Sequence, residues 1–93
     1  LDYPGVGPQL CHLRDEGRLQ VAAITDDEAL KACSLLSKSE GIIPALETAH
    51  AFGLLPPEKR SQFFNDGDIV VFCVSGRGDK DMETLIQYEQ QFH

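Results

Sequence analysis

Val70-Val71-Phe72-Cys73-Val74-Ser75-Gly76-Arg77-Gly78-Asp79-Lys80-Asp81 decides how this chain is read. Five apolar residues without polar alternation stop at a serine; a glycine-rich turn and acidic residues follow. An unbroken apolar run reads as a strand covered on both faces, as in the parallel sheets of α/β proteins. Such sheets bind ligands just beyond the carboxyl ends of their strands. Ser75 stands at such an end, among small residues and backbone N–H groups, so a ligand is expected there. From spacing alone the turn is an anion cradle, a partner for a ring nitrogen, or an ordinary strand-to-helix turn. It matches neither G-x-G-x-x-G, nor the Walker P-loop, nor the G-x-S-x-G nucleophile elbow.

Working outward, the strand is expected over Ile69 to Val74. A last helix follows from about Asp81 to Gln91. Leu55 to Asp68, with Pro56-Pro57 and Asn65-Asp66-Gly67, reads as a loop. Further upstream, Pro44 can open a helix from Ala45 to about Gly53 that buries Leu46, Ala49 and Phe52. Thr25-Asp26-Asp27-Glu28 fits a capping box at the head of another helix, which puts Ala29, Leu30, Cys33 and Leu36 on one face and ends at Gly41. Leu19 to Ile24 reads as a short strand. Pro8 suits the first turn of a short helix through His12 and Leu13 that stops at Gly17. Two strands among helices make part of a doubly wound, three-layer α/β/α sheet, with too few strands to complete it.

Composition narrows the class. Ninety-three residues suit one small domain at most. An apolar content of 42% rules out wholesale disorder, and no stretch approaches the ~20 apolar residues of a membrane span. The net charge of -7 argues against nucleic acid, which demands a basic footprint. Cys11, Cys33 and Cys73 lie far apart with no C-x-x-C, so neither a zinc ribbon nor a dithiol redox site is supported. Cys33 and Cys73 fall at apolar positions and are expected to be buried packing residues. No secretory leader is recognisable. The opening Leu1-Asp2-Tyr3-Pro4-Gly5 reads as mid-loop, so the chain is expected to be part of something longer.

Several residues could carry chemistry. Glu47 has apolar neighbours and is either a partly buried carboxylate, needing a partner or ligand, or an exposed helix residue. His50, three residues on, reads as a structural histidine. Lys80 lies among acids and reads as solvated. Arg77-Gly78-Asp79 is the tripeptide of cell-adhesion ligands, here attributed to chance. Asp2 precedes a Tyr-Pro-Gly segment whose carbonyls suit either a monovalent cation or a rigid bend.

Three segments together carry a resemblance. Leu1-Asp2-Tyr3-Pro4-Gly5-Val6-Gly7-Pro8, Glu40-Gly41-Ile42-Ile43-Pro44-Ala45-Leu46-Glu47 and Ser75-Gly76-Arg77-Gly78-Asp79-Lys80-Asp81 resemble, in order and spacing, the C-terminal quarter of the tryptophan synthase β-subunit family. The likeness covers nearly the whole of residues 1–93 and is weakest from Phe52 to Asn65, where Gly53 and Pro56-Pro57 interrupt the family's longer helix.

The resemblance implies a fold type II lyase that uses pyridoxal 5'-phosphate to join indole to L-serine, giving L-tryptophan and water in the last step of tryptophan biosynthesis. It implies that the Ser75 hydroxyl bonds the pyridine nitrogen, that Gly76 lets backbone approach the ring edge, and that Glu47 lies near the ring. Asp2 would belong to the gate over the substrate. The carbonyls of Leu1, Tyr3 and Gly5 would surround a monovalent cation, sodium or potassium. In that family the Schiff-base lysine, the phosphate loop and the catalytic glutamate lie upstream, so these residues alone are expected to be inactive. The implied partners are the rest of the β chain, a second β subunit and the α subunit. The implied location is the cytoplasm, or the plastid stroma in a plant. A non-catalytic interaction module derived from this fold, and another fold type II enzyme acting on serine or threonine, remain as alternatives.

Overall fold

A computed structural model describes residues 5–92, and among them every regular element is helical. In chain order these are α1 (Pro8–Asp15), α2 (Asp26–Glu40), α3 (Leu46–Phe52), α4 (Pro57–Phe63), a 3-10 turn (Asp79–Asp81) and α5 (Met82–Phe92).

The helix ends follow local chemistry. Pro8 occupies the first turn of α1. Beyond its C-terminus Arg18 N donates to Leu13 O at 2.9 Å and Gly17 N to Arg14 O at 3.0 Å, the paired bonds of a Schellman motif. That motif needs a left-handed residue, and Gly17 supplies it at φ 76°. The expected capping box forms at α2. Thr25 Oγ1 accepts from Glu28 N at 3.2 Å, and the Glu28 carboxylate accepts from Thr25 N at 2.8 Å. At the other end Gly41 turns left-handed.

α2 packs on α3. Their seam buries Ala29, Ala32, Cys33, Ala45, Ala49 and Phe52, with Pro44 also enclosed. Leu46 and Ile24 add partial cover, and Leu85 closes it from α5. Alanines let the helices approach closely but contribute little, since each buried CH₂ is worth only ~0.8 kcal/mol. This is a thin core for the chain's length. The accessible surface is 7218 Å², against about 5,400 Å² for a folded monomer of this mass. The radius of gyration is 14.5 Å, against about 12 Å for a compact domain of this size.

Three expectations fail here. First, neither Leu19–Ile24 nor Ile69–Val74 is a strand; no sheet exists among the described residues. The physical reason is the lack of neighbours. Between residues 69 and 74 no backbone group pairs with another backbone group among the described residues. The run shows a two-residue alternation in its cover instead. Phe72 stacks on Phe52 with ring centroids 4.4 Å apart. Ile69 and Val71, which face the other way, are 93% and 88% exposed. Of a run apolar on both faces, only Phe72 has cover; Val70 and Val74 beside it are 38% and 44% exposed. Second, the stretch read as a loop from Leu55 to Asp68 contains α4. Pro57 opens this helix at its first position, a place where the missing N–H costs nothing. Third, Cys73 is exposed, while Cys33 is buried as expected.

Candidate functional site

The turn of residues 75–81 folds back onto the head of α3, 30 or so residues upstream in sequence, through contacts in which backbone leads. Gly78 N donates to Ile43 O at 3.0 Å. Thr48 Oγ1 donates to Ser75 O at 2.6 Å. Gly78 is buried at this junction, and a Cβ placed on it would stand 2.6 Å from Pro44 O and 2.8 Å from Ile43 O. Gly76 has φ +75°, and its Cβ would come within 3.1 Å of the Ala45 methyl. Both glycines are therefore needed, one for space and one chiefly for backbone conformation.

Charge completes the junction. α3 has no side-chain cap of its own at Ala45; instead Asp81 Oδ2 accepts from Leu46 N at 3.1 Å. Lys80 Nζ lies 2.8 Å from that same Asp81 oxygen and 2.8 Å from Glu47 Oε2. The Lys80 bond lowers the Glu47 pKa below the ordinary glutamate value. For Asp81, burial works to raise the pKa, but the bonds from Lys80 and from Leu46 N outweigh it and the net shift is downward. Lys80, between two carboxylates, is held above the usual lysine range, first by Asp81 and then by Glu47.

Glu47 is thus not the partly buried carboxylate considered from sequence: its side chain is 42% exposed and its partner is Lys80. Lys80 is half exposed but doubly paired rather than simply solvated. His50 behaves as a structural residue, its Nδ1 2.7 Å from Leu46 O. Glu47, His50 and Asp81 share with Asp26, Leu46 and Thr84 a cleft of about 240 Å³. Arg77 pairs with its own neighbour Asp79 at 3.4 Å, and the glycine between them is buried, so this tripeptide is a structural turn.

The structure brings Glu47, Ser75 and Gly76 onto one junction. Asp2, Leu1 and Tyr3 lie outside the described residues; Gly5, just inside them, is exposed ahead of α1. Sequence reading missed Thr48, Lys80 and Asp81 as members of the junction, because their partners are 27, 33 and 35 residues away. The available signal was the glycine spacing in Ser75-Gly76-Arg77-Gly78, which marks two close backbone approaches. The Ser75 hydroxyl makes no hydrogen bond among the described residues, while its carbonyl is taken by Thr48. The exposed Ser75 hydroxyl is thus open to a partner from outside these residues. Among the described residues no group of histidine, cysteine, aspartate and glutamate could hold a metal ion, and no helix is long and apolar enough to cross a membrane.

No protein-family model matches the chain. Curated relatives do. A tryptophan synthase beta chain of Bacteroides fragilis is 55% identical over 86 residues, covering 92% of this chain and 21% of the relative. The corresponding protein of Azobacteroides pseudotrichonymphae is 52% identical over 84 residues, covering 90% and 20%. That of Staphylococcus epidermidis is 48% identical over 90 residues, covering 97% and 22%. The chain therefore spans about one fifth of the length of the relatives it matches, and what these identities define is a segment of a larger protein. It is homologous to a segment of the tryptophan synthase beta chain.

Proposed function

We propose that this chain is the C-terminal segment of a β chain of the tryptophan synthase type, which condenses indole with L-serine to give L-tryptophan and water. The observation that carries this reading is the docking of Ser75-Gly76 onto the helix that bears Glu47, in a chain about half identical to beta chains of that name. Pyridoxal 5'-phosphate, when bound, supplies an electron-withdrawing ring that makes departure and addition at the substrate's Cβ possible.

Ser75 offers a neutral hydroxyl to the ring nitrogen. A hydroxyl, unlike a carboxylate, does not hold that nitrogen protonated, and the weaker electron withdrawal favours replacement at Cβ over transamination. Gly76 leaves the ring edge clear of side chains. Glu47, whose pKa the Lys80 bond lowers, brings a negative charge to the same junction. Asp2 serves the substrate gate, and the carbonyls of Leu1, Tyr3 and Gly5 contribute to a monovalent cation site. The run 69–74 belongs to a doubly wound, fold type II sheet whose neighbouring strands, and the layer over the bare face, come from the rest of the β chain. A second β subunit and an α subunit are the further partners, and the cytoplasm is the location.

Exposed Ile69 and Val71 form an apolar strip that the rest of a β chain would cover. The test is direct. The full-length protein that carries this segment, incubated with indole, L-serine and pyridoxal phosphate, is expected to form tryptophan. Absence of product with that cofactor bound would remove this reading.

A further inference from the structure

The junction between the 75–81 turn and α3 contains one group that touches both sides. Lys80 Nζ reaches Glu47 on α3 and Asp81 on the turn, each at 2.8 Å, and the Asp81 oxygen it touches is the one that accepts from Leu46 N. One ammonium and one carboxylate oxygen therefore tie the first turn of α3 to the segment that follows Ser75. The other ties, Thr48 to the Ser75 carbonyl and Gly78 N to Ile43 O, fix the backbone but leave the Glu47 side chain free to swing.

We propose that Lys80 is a positioning residue: bridging Glu47 and Asp81, it holds the Glu47 carboxylate and the Ser75 hydroxyl in a single register. This rests on the reading that both residues face the cofactor ring. Magnitudes point to position rather than to bulk stability. Half-exposed ion pairs change a folding equilibrium by no more than about fivefold. A reacting group displaced by about 1 Å can cost about a hundredfold in rate. Loss of the bridge is expected to fall between the two.

The test compares wild type, Lys80→Gln and Lys80→Arg in the full-length protein. In the apo form, Lys80→Gln is expected to speed amide exchange at Leu46 and Gly78, the two amides bonded across the junction, about fivefold, the worth of an exposed pair. In the cofactor-loaded form it is expected to lower kcat about tenfold, with KM for serine changed less, and to alter the cofactor's absorbance. Lys80→Arg, which keeps the charge and can bridge two carboxylates, is expected to restore most of both. Wild-type exchange and absorbance in Lys80→Gln would overturn the proposal. So would failure of Lys80→Arg to recover either. A wild-type protein that makes no tryptophan overturns the proposed function instead, while the apo exchange still decides whether Lys80 sets the register.

Discussion

Residues 75–81 and residues 69–74 are consecutive, and their surroundings could hardly differ more. In the first, Gly78 N, the Ser75 carbonyl, Lys80 and Asp81 each have a partner on or just before α3. In the second, no backbone group is paired with another among the described residues, and only the Phe72 side of the run touches the core. The difference lies in where the partners are. The turn is completed by residues within this chain. The run is apolar on both faces, and this chain covers only Phe72. A segment can thus hold a completed turn beside an apolar run without partners.

The largest effect expected from that contrast concerns Val71. Its side chain is 88% exposed here, so Val71→Asp is expected to change the stability of the 93-residue chain by no more than about 0.5 kcal/mol. In the full-length protein the same substitution buries an unpaired carboxylate and is expected to cost roughly 3 kcal/mol or more. Urea unfolding of both forms checks this. Equal tolerance in the two would mean that the bare face stays bare.

Gly78→Ala addresses the completed turn and ranks next. An added methyl would meet the Pro44 and Ile43 carbonyls, at 2.6 and 2.8 Å, which are backbone and cannot step aside. The expected cost is about 2 kcal/mol, in the range of overpacking, with faster amide exchange at residue 78. A neutral result would show that the turn is not docked as described.

The smallest effect concerns the α2 capping box, whose own bonds involve residues of neither region. Lys59, bonded to the Glu28 carboxylate at 2.7 Å, is the largest influence on it, followed by Thr25 N, and together they lower the pKa from 4.5 to about 2. A pKa lower in the folded chain than in the unfolded one means stability that is complete above about 4.5 and fades as pH falls towards about 2. Amide exchange at the head of α2 is expected to quicken through that window, and Glu28→Gln to abolish the dependence. The run 69–74 should show no such response.

What the sequence made legible was local. The Thr25–Glu28 box and the left-handed glycines at 17 and 41 rest on neighbours within a few residues, the burial of Cys33 and Phe52 follows from the helical spacing of apolar residues, and all appear as expected. α4 was hidden because Pro56-Pro57 reads as a breaker, although the second proline sits where a helix tolerates it. Cys73 was assigned to a packed strand on the strength of its apolar neighbours; with no strand beside it, it is exposed. The position of Glu47 was readable, but its partner was not, because Lys80 lies 33 residues away and carries no motif of its own. The same holds for the Asp81 cap on α3, which replaces the side chain that Ala45 lacks.

The proposed contact between Ser75 and the ring nitrogen of pyridoxal phosphate is probed by Ser75→Asp in the full-length protein. A carboxylate at that position would hold the nitrogen protonated. A changed absorbance spectrum of the bound cofactor and weakened tryptophan synthesis are expected, with the cofactor still retained. A spectrum and a turnover both indistinguishable from wild type would show that Ser75 does not touch the ring.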